Sequence, residues 1–282
     1  MTGLRHLLCA APLLAALAAQ AQDVGSTPAN PGPQALTGTL AKVHASGSIA
    51  LAYRDSSVPF SYLDARGRPI GYSIELCKSL VSAVETAVQR SLEIRWVPVT
   101  SATRMEAITS GQADLECGST TSNLERQKTV AFSPTIFVAG TRLLVRKGSG
   151  IRDWRDLAHK KVAVTAGTTN EPVMRSLSQR LKIPMDIVVA PDHAQAFALV
   201  EGGSADAFAT DDVLLYGLVA QTPGASKRLA VVGELLSYEP YAIMFRRGDP
   251  QLAKLVTDSM RLLAQDGEID RQYRRWFLQK LP

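Results

Sequence analysis

The chain has 282 residues, 46% of them hydrophobic and 20% charged, so it is long enough for two lobes with cores of their own. Its 31 basic residues exceed its 26 acidic residues, and the formal charge of +5 suits an anionic ligand without requiring one. Nucleic-acid binding would need basic residues clustered with stacking aromatics on one face. The only dense basic cluster, Arg271, Arg274 and Arg275, ends a helical pattern and is interpreted as structural. We therefore predict no nucleic-acid partner.

The N-terminal segment has the pattern of an export signal. Arg5 precedes an apolar stretch at 7–19, and the Ala-Gln-Ala sequence at 19–21 fits the small-x-small site of signal peptidase. This stretch is shorter than the roughly 20 residues that a bilayer-spanning helix needs. We expect residues 1–21 to be a signal peptide that directs the protein to the periplasm. Residues 22–39 are rich in Pro, Gly, Ala and Thr and predict a flexible leader.

From about residue 40, short apolar segments alternate with amphipathic helical patterns, which is typical of an α/β fold with mostly parallel sheets. The predicted strands are 49–53, 92–97, 113–117, 161–165, 186–189, 205–209 and 241–245. The predicted helices are 73–89, 104–109, 154–158, 171–181, 194–201, 212–220 and 250–281.

Two strand-like crossings, near 137–144 and 234–241, divide the chain into an outer and a middle part. They predict a discontinuous first lobe, 40–138 plus 240–282, and a continuous second lobe, 143–235. Ligands of open α/β sheets bind beyond the C-terminal ends of the strands. Two lobes joined by two hinge-crossing strands would bring such ends together across one ligand cleft, which would close on the ligand.

Two cysteines follow the predicted signal peptide. Cys77 lies on an apolar helix stripe and Cys117 ends a predicted strand, so both are interpreted as small buried hydrophobic residues. An exported protein can form disulfides. A bond between the two remains an open alternative, because sequence spacing does not establish the Cα separation that a disulfide requires.

Several charged side chains lie in turn-prone segments at or after the ends of predicted strands. They are Arg54, Arg104, Arg126, His193 and Asp211. Four potential cations and one carboxylate suit a small acidic zwitterion, because each charged group of a ligand needs a partner once closure removes water. Taken singly, each has an ordinary explanation: an arginine after a strand is usually a solvated charge, and Asp211 is placed to cap the next helix.

The strings around these residues occur in a distinctive order. They are VTSATR at 99–104, ECGSTTSNLERQ at 116–127, TAGTTNE at 165–171, PDH at 191–193 and ATDD at 209–212. In this order they resemble the extracytoplasmic amino-acid-binding proteins of bacterial ABC importers, solute-binding protein family 3, and within them the glutamate/aspartate binders. The resemblance runs from about Leu40 to the C-terminus. It implies the two-lobed periplasmic binding protein fold.

The resemblance assigns roles at the α-amino-acid end of a ligand. Arg126 matches the family's signature arginine, whose planar guanidinium pairs bidentately with the α-carboxylate. Ser119 and Thr121 match positions that contribute hydroxyl or backbone groups beside it. Thr169 would add contacts from the second lobe at a helix N-terminus. Asp211 matches the acidic residue that accepts the ammonium.

The resemblance also assigns a distal site. Arg54, Arg104 and His193 match the cationic residues around the ligand's side-chain carboxylate, with Ser101 assisting. An unpaired buried cation is costly, so three positive groups predict a second anionic group on the ligand. His193 is expected to take up a proton when that carboxylate binds, because Arg54 and Arg104 disfavour the imidazolium beforehand.

The expected function is therefore extracytoplasmic binding of L-glutamate and/or L-aspartate by a monomer, and delivery to the membrane permease of an ABC importer. No catalytic residue and no cofactor are expected. No metal site is expected either, because the 4 histidines lack metal-ligand spacing. One alternative is an enzyme like cyclohexadienyl dehydratase that uses Glu171 as a general acid. Another is an accessory that presents bound ligand to a chemoreceptor. The sequence distinguishes neither the preferred acidic amino acid nor the permease.

Overall fold

A computed structural model describes residues 35–278. The predicted signal peptide and residues 22–34 of the predicted leader lie outside the described residues. The strands in the described part are β1 (Ser48–Tyr53), β2 (Ser56–Ser57), β3 (Ser61–Leu63), β4 (Pro69–Ile70), β5 (Glu93–Pro98), β6 (Leu115–Glu116), β7 (Val130–Phe132), β8 (Phe137–Ala139), β9 (Thr141–Arg146), β10 (Lys161–Thr165), β11 (Asp186–Ala190), β12 (Ala207–Asp211), β13 (Leu229–Val232), β14 (Glu239–Tyr241) and β15 (Met244–Arg246).

The helices within residues 35–278 are α1 (Gly38–Ser46), α2 (Tyr72–Val88), α3 (Arg104–Thr109), α4 (Leu124–Gln127), α5 (Asn170–Leu181), α6 (His193–Glu201), α7 (Asp212–Gln221), α8 (Ala225–Arg228), α9 (Pro250–Gln265) and α10 (Glu268–Tyr273). A 3-10 turn covers Trp154–Leu157 and a π-helical turn covers Arg274–Leu278. No helix in this part of the chain is both long and apolar enough to cross a bilayer.

The fold contains two five-stranded sheets of matching design. The first has the order β5-β1-β6-β15-β7 and the second the order β11-β10-β12-β9-β13. In each, three neighbouring strands are parallel and the other two are added by antiparallel pairing. The apolar runs of the central strands, such as those of β1 and β10, are almost completely buried because helices cover the sheets. The predicted α/β class is confirmed.

Two short strands connect the sheets. The chain leaves the first sheet through β8 and returns to it through β14, and these strands pair antiparallel, with Tyr241 opposite Phe137. The strand predicted at 241–245 is wrong in its extent. Between β14 and β15, Ala242 N donates to Thr120 O at 3.0 Å and Ile243 N donates to Ser133 Oγ at 3.0 Å. The pairing of β14 with β8 therefore ends before β15 pairs with β6 in the first sheet.

Separate apolar cores lie on the faces of the sheets. On the first sheet, α2 buries the stripe that includes Leu76, Leu80 and Val84, each 0% exposed. Burying such a side chain contributes about 1.5–3 kcal/mol relative to leaving it in water. On the second sheet, Phe208 belongs to the core under α6 and α7, and Met174 of α5 belongs to the core on the opposite face.

Helix α1 begins inside the segment that was predicted to be a flexible leader. Its residues Leu40 and Val43 are buried, and the Thr39 N–H donates to the Asp249 carboxylate at 2.7 Å. The helix has only 9 residues, which is shorter than isolated helices need for stability. Packing against α2 and α9 therefore stabilises α1, and the sequence of this segment by itself does little to predict a helix.

Cys77 and Cys117 form a disulfide, with Cα atoms 6.1 Å apart. The sequence left this bond open, and the structure shows that it forms. The sequence pattern correctly buried both residues, on α2 and after β6, but it contained no information that the two positions face each other. The bond closes a sequence separation of 40 residues, and such a cross-link stabilises mainly by restricting the unfolded chain.

The single C-terminal helix predicted at 250–281 is interrupted. Gly267 adopts φ +70°, a left-handed conformation that ends α9 and starts α10 in a new direction. The basic cluster on these turns is paired, since Arg271 contacts Glu268 and Arg274 contacts Asp270, both at 2.8 Å. Trp276 is buried against the first core.

Candidate functional site

The carboxyl ends of the parallel strands of both sheets border one small cavity of about 10 Å³. It is lined by Ser101, Arg104, Ser119, Thr121, Thr168, Thr169, Asn170, His193, Asp211 and Leu214. Seven of the nine residues predicted to bind ligand are in this set, and Arg54 and Arg126 lie beside the cavity rather than in its wall. The cavity has room for about one water molecule, so the loops of the two sheets are closed against each other.

Arg126 connects loops from the two sheets. Asn123 caps α4 by accepting the Arg126 N–H at 2.9 Å, which holds this arginine on the first turn. Its Nη1 donates to Thr121 O at 2.9 Å and its Nη2 to Gly167 O at 3.1 Å. Burial, and then the charge of Arg104, lower the pKa of Arg126 to about 10, so it is still a cation at neutral pH. A guanidinium has five N–H groups, which leaves donors for a carboxylate.

Arg104 is the first residue of α3 and is only 2% exposed. Its Nη1 donates to Thr120 Oγ1 at 2.8 Å, and weaker contacts of 3.5 Å reach Ser119 O and Gly167 O. Its Nε has no hydrogen-bond partner within residues 35–278. Burial is the main cause of the lowered pKa of Arg104. The side chain is thus anchored at its tip and has a free donor closer to its stem.

Arg54 and His193 complete the predicted cation cluster, and each is 1% exposed. Burial, and then the charge of Arg104, lower the pKa of Arg54 to about 9. His193 Nδ1 lies 2.9 Å from Thr165 Oγ1. Burial, followed by the charges of Arg54 and Arg104, holds the pKa of His193 well below its ordinary value. The imidazole is therefore neutral at neutral pH, while both arginines remain charged.

Three buried donors of this cluster lack partners in the described part of the chain: Arg54 Nη1, Arg104 Nε and Ser101 Oγ. Leaving one such group unsatisfied costs about 1–3 kcal/mol. An acceptor that reached these groups, and above all an anionic one, would recover that cost.

Asp211 ends β12 and faces the same cavity. It accepts hydrogen bonds from Asn170 Nδ2 at 2.7 Å and from the Tyr241 hydroxyl. Burial, and then the charge of Glu239, raise the pKa of Asp211 to about 6. Asp211 makes no capping hydrogen bond, whereas Asp212 Oδ1 accepts from Val213 N at 2.8 Å. The two neighbouring aspartates therefore have different contacts: Asp212 binds the start of α7, and Asp211 is available to a ligand.

Several buried residues of this region were not among the predicted site residues. Glu239, on β14, accepts from Thr121 Oγ1 at 2.7 Å and from Thr169 Oγ1 at 2.6 Å. Glu116, which is 0% exposed at the end of β6, accepts from Thr120 Oγ1 at 2.6 Å. An acidic residue inside an apolar strand is the signal that could have identified Glu116, because glutamate is seldom fully buried unless it is paired.

These carboxylates change the charge balance that the sequence suggested. The three arginines Arg54, Arg104 and Arg126 are accompanied by the carboxyl groups of Asp211, Glu116 and Glu239. The number of cations alone therefore does not favour an acidic ligand. The geometry does favour one: the buried donors without partners in the described part of the chain lie in the cation cluster, and the acceptor Asp211 lies in the wall of the cavity that Arg104 and Ser101 also line.

Glu171, the residue that would act as an acid in an enzyme, is engaged elsewhere. Its Oε1 accepts from Arg175 Nε at 3.0 Å and from Arg175 Nη2 at 2.9 Å, one helical turn away. It does not line the cavity. Residues 35–278 also contain no group of three or more His, Cys, Asp or Glu side chains arranged to hold a metal ion.

A larger groove of about 740 Å³ lies next to the cavity and shares Thr121 and Thr169 with it. Its lining includes the exposed side chains of Leu124 and Tyr238, and among the described residues Arg180 is the only lysine or arginine that lines it. Without a group of convergent cations, this groove is a poorer site for an anion than the small cavity.

Residues 49–279 match the family described as bacterial extracellular solute-binding proteins, family 3. The glutamate/aspartate import solute-binding protein of Salmonella typhimurium is 40% identical over 271 residues, which cover 96% of this chain and 89% of the relative. The L-glutamate/L-aspartate-binding protein of Pseudomonas aeruginosa is 43% identical over 249 residues, which cover 88% of this chain and 82% of the relative.

Solved structures have the same architecture. An ancestral arginine-binding protein bound to arginine has a TM-score of 0.74 at 28% identity, covering 82% of this chain and 98% of that chain. An ancestral amino acid-binding protein, a precursor of cyclohexadienyl dehydratase, has a TM-score of 0.73 at 29% identity, covering 85% of this chain and 100% of that chain. With two matched sheets, paired crossing strands and a polar cavity at the strand ends, this chain belongs to the bacterial extracellular solute-binding proteins of family 3.

Proposed function

We propose that this protein binds L-glutamate or L-aspartate in the periplasm and delivers it to the membrane permease of an ABC importer, without consuming it. The observation that carries the proposal is the pairing of opposite chemistries in and beside one cavity. Arg54, Arg104 and Ser101 supply buried donors without partners in the described part of the chain, and Asp211 supplies a buried carboxylate. An acidic amino acid has carboxylates and an ammonium to match both. The names of the 40% and 43% identical relatives support the same ligand class.

At the α-amino-acid end, Arg126 would pair with the α-carboxylate and Asp211 with the ammonium. Arg126 keeps donors free beyond its two carbonyl contacts, and Asp211 has the position and charge to accept from a cation. Ser119, Thr121 and Thr169 would contribute hydroxyl or backbone groups around the α-carbon, since all three line the cavity.

At the distal end, Arg54, Arg104 and Ser101 would bind the side-chain carboxylate. The neutral imidazole of His193 would add a hydrogen-bond donor rather than a charge, because burial and the two arginines lower its pKa. A charged hydrogen bond is typically worth about 1.5–3 kcal/mol, so this end would separate acidic from neutral side chains.

The two sheets would act as two lobes that open to admit the ligand, with residues 40–138 plus 240–282 in the first and 143–235 in the second. The paired strands β8 and β14 would serve as the hinge. Residues 1–21 would be removed as a signal peptide, and the mature protein would act as a monomer.

Turnover by an enzyme like cyclohexadienyl dehydratase is the competing function, and the string Thr169-Asn170-Glu171 is the observation in its favour. The 29% identical precursor of that enzyme is itself named an amino acid-binding protein. Against turnover, Glu171 is paired with Arg175 and lies outside the cavity wall. We therefore propose a binding protein.

Isothermal titration calorimetry of the refolded, ligand-free mature protein against the proteinogenic amino acids tests the proposal. Glutamate or aspartate should bind most tightly, and their relative affinities would give the preferred ligand. Tighter binding of arginine or leucine would refute the ligand assignment. Conversion of arogenate or prephenate that is lost in Glu171→Gln would refute binding without turnover.

A further inference from the structure

Glu116 is a buried carboxylate directly behind the distal cation cluster. It ends β6, the middle strand of the first sheet, where it pairs with Ala52 on one side and Met244 on the other. It is 0% exposed, and its Oε1 has no hydrogen-bond partner within residues 35–278. Burying a carboxylate is costly unless opposite charges compensate, so its neighbours are expected to be cations.

One hydroxyl connects Glu116 to Arg104. Arg104 Nη1 donates to Thr120 Oγ1 at 2.8 Å, and Thr120 Oγ1 donates to Glu116 Oε2 at 2.6 Å. A hydroxyl has a single proton, so donation to Glu116 leaves its lone pairs for the guanidinium. Glu116 thereby orients Thr120, and Thr120 holds the tip of Arg104.

Glu116 also lies against the stem of Arg54. The position that a Cβ atom would take at Gly118 is 2.2 Å from Glu116 Oε1 and 3.0 Å from Arg54 Cγ. The absence of a side chain at Gly118 is what allows both groups to occupy this space. Although burial and Arg104 lower the pKa of Arg54, the Glu116 carboxylate acts in the opposite direction.

We propose that Glu116 is a positioning residue that sets how strongly the site distinguishes a charged from an uncharged ligand side chain; this inference rests on the proposed function. It acts in two ways of opposite sign. Through Thr120 it holds Arg104 in place, which favours a carboxylate. Its own negative charge reduces the positive potential at Arg54 and Arg104, which limits that preference.

The two effects are separable by substitution. Glu116→Gln removes the charge but keeps an oxygen that can accept from Thr120, so the ratio of glutamine Kd to glutamate Kd should rise about tenfold or more, the effect of one nearby charge. Thr120→Val keeps the charge but removes the connection to Arg104, so the same ratio should fall about tenfold. Calorimetric titration of both variants with both ligands measures these ratios.

Asp114→Asn is the matched control. Asp114 lies just before β6, is 5% exposed, accepts from Ala50 N, four residues before Arg54, and pairs with Lys42 at 2.7 Å. The substitution removes the same charge from the same segment, at a level of the sheet about 13 Å from Arg54 along β1, so its ratio of glutamine Kd to glutamate Kd should equal that of the wild type. Ratios that stay at the wild-type value in Glu116→Gln and Thr120→Val would overturn the inference, as would a ratio that falls in both.

The wild-type titration separates the two proposals. If the wild type binds neither glutamate nor aspartate, the proposed function fails. If it prefers them but both variants keep its ratio, only the role of Glu116 fails. Thr120→Val by itself tests the positioning role if Glu116→Gln does not fold.

Discussion

Thr169 Oγ1 lies 2.6 Å from a carboxylate oxygen of Glu239, which joins the start of α5 to the crossing strand β14. The same oxygen accepts from Thr121 Oγ1 at 2.7 Å. Thr121 follows β6 of the first sheet and Thr169 follows β10 of the second. One buried carboxylate therefore holds hydroxyl groups from both sheets while their loops are in contact.

We expect Glu239→Gln to weaken binding of every amino acid ligand about 10- to 100-fold, because hydrogen bonds to a charged group are worth about 1.5–3 kcal/mol. Calorimetric Kd values for glutamate and glutamine measure the loss, which should be equal for the two. Glu234→Gln is the control, since Glu234 precedes the same crossing but its side chain is 66% exposed. A similar loss in both variants would contradict the specific role of Glu239.

Arg126→Ala should weaken the binding of glutamate and of glutamine alike, by about 1.5–3 kcal/mol, because it would remove a contact to the α-carboxylate that both ligands share.

Arg104→Ala should weaken the binding of glutamate more than that of glutamine, since Arg104 supplies a buried donor without a partner in the described part of the chain. Titrating each variant with both ligands gives the comparison. Equal losses for the two ligands in Arg104→Ala would rule out its contact with the distal carboxylate.

The affinity for glutamate should fall on acidification below about pH 6, by about tenfold for each pH unit at the steepest. Burial and Glu239 raise the pKa of Asp211 from 3.8 to about 6, and a ligand ammonium needs this carboxyl charged. Binding then releases a proton below pH 6. For the unliganded protein, the contribution of this raised pKa to stability is present below pH 3.8 and is lost as the pH rises through about 6.

Titrations between about pH 5 and 8 in buffers of different ionisation enthalpy would count these protons. Asp211→Asn should bind weakly with no pH dependence in this range. His193→Gln should retain the wild-type profile, because burial keeps the imidazole neutral. We therefore expect proton release at Asp211 in place of the proton uptake expected at His193, and these titrations distinguish the two. Uptake near neutral pH that disappears in His193→Gln would restore the sequence-based expectation.

Gly217→Ala should lower ligand affinity about tenfold or more while leaving the unliganded protein at least as stable. Gly217 lies on α7, and a Cβ atom there would be 2.4 Å from Val58 O, which belongs to the segment after β2. The closed arrangement would have to loosen. Alanine is a better helix former than glycine by about 0.8–1.0 kcal/mol, so the stability of the open protein should not fall. Melting temperatures without ligand test the expected stability, and Kd values for glutamate test the expected loss of affinity. Unchanged affinity would show that the contact is not needed for closure.

The amino-acid sequence alone contained the elements that position the site. Apolar runs followed by turn residues predicted β10 at Lys161–Thr165 and the helix α3 at Arg104–Thr109, both with the bounds that the structure has. Because parallel strands carry their loops at the same end, polar residues after different strands were predicted to meet. Seven of the nine residues predicted to bind ligand do line one cavity.

Only the tertiary structure decided which partners these residues have. Thr121 and Glu239 are 118 positions apart, and Cys77 and Cys117 are 40 apart, yet each pair is in direct contact. The order and spacing of residues encode periodicity and turns, which are local. Which buried carboxyl group faces which hydroxyl or arginine depends on how two sheets and their crossing strands pack together. That packing brings Glu116 and Glu239, which were absent from the predicted site, into contact with Thr120, Thr121 and Thr169.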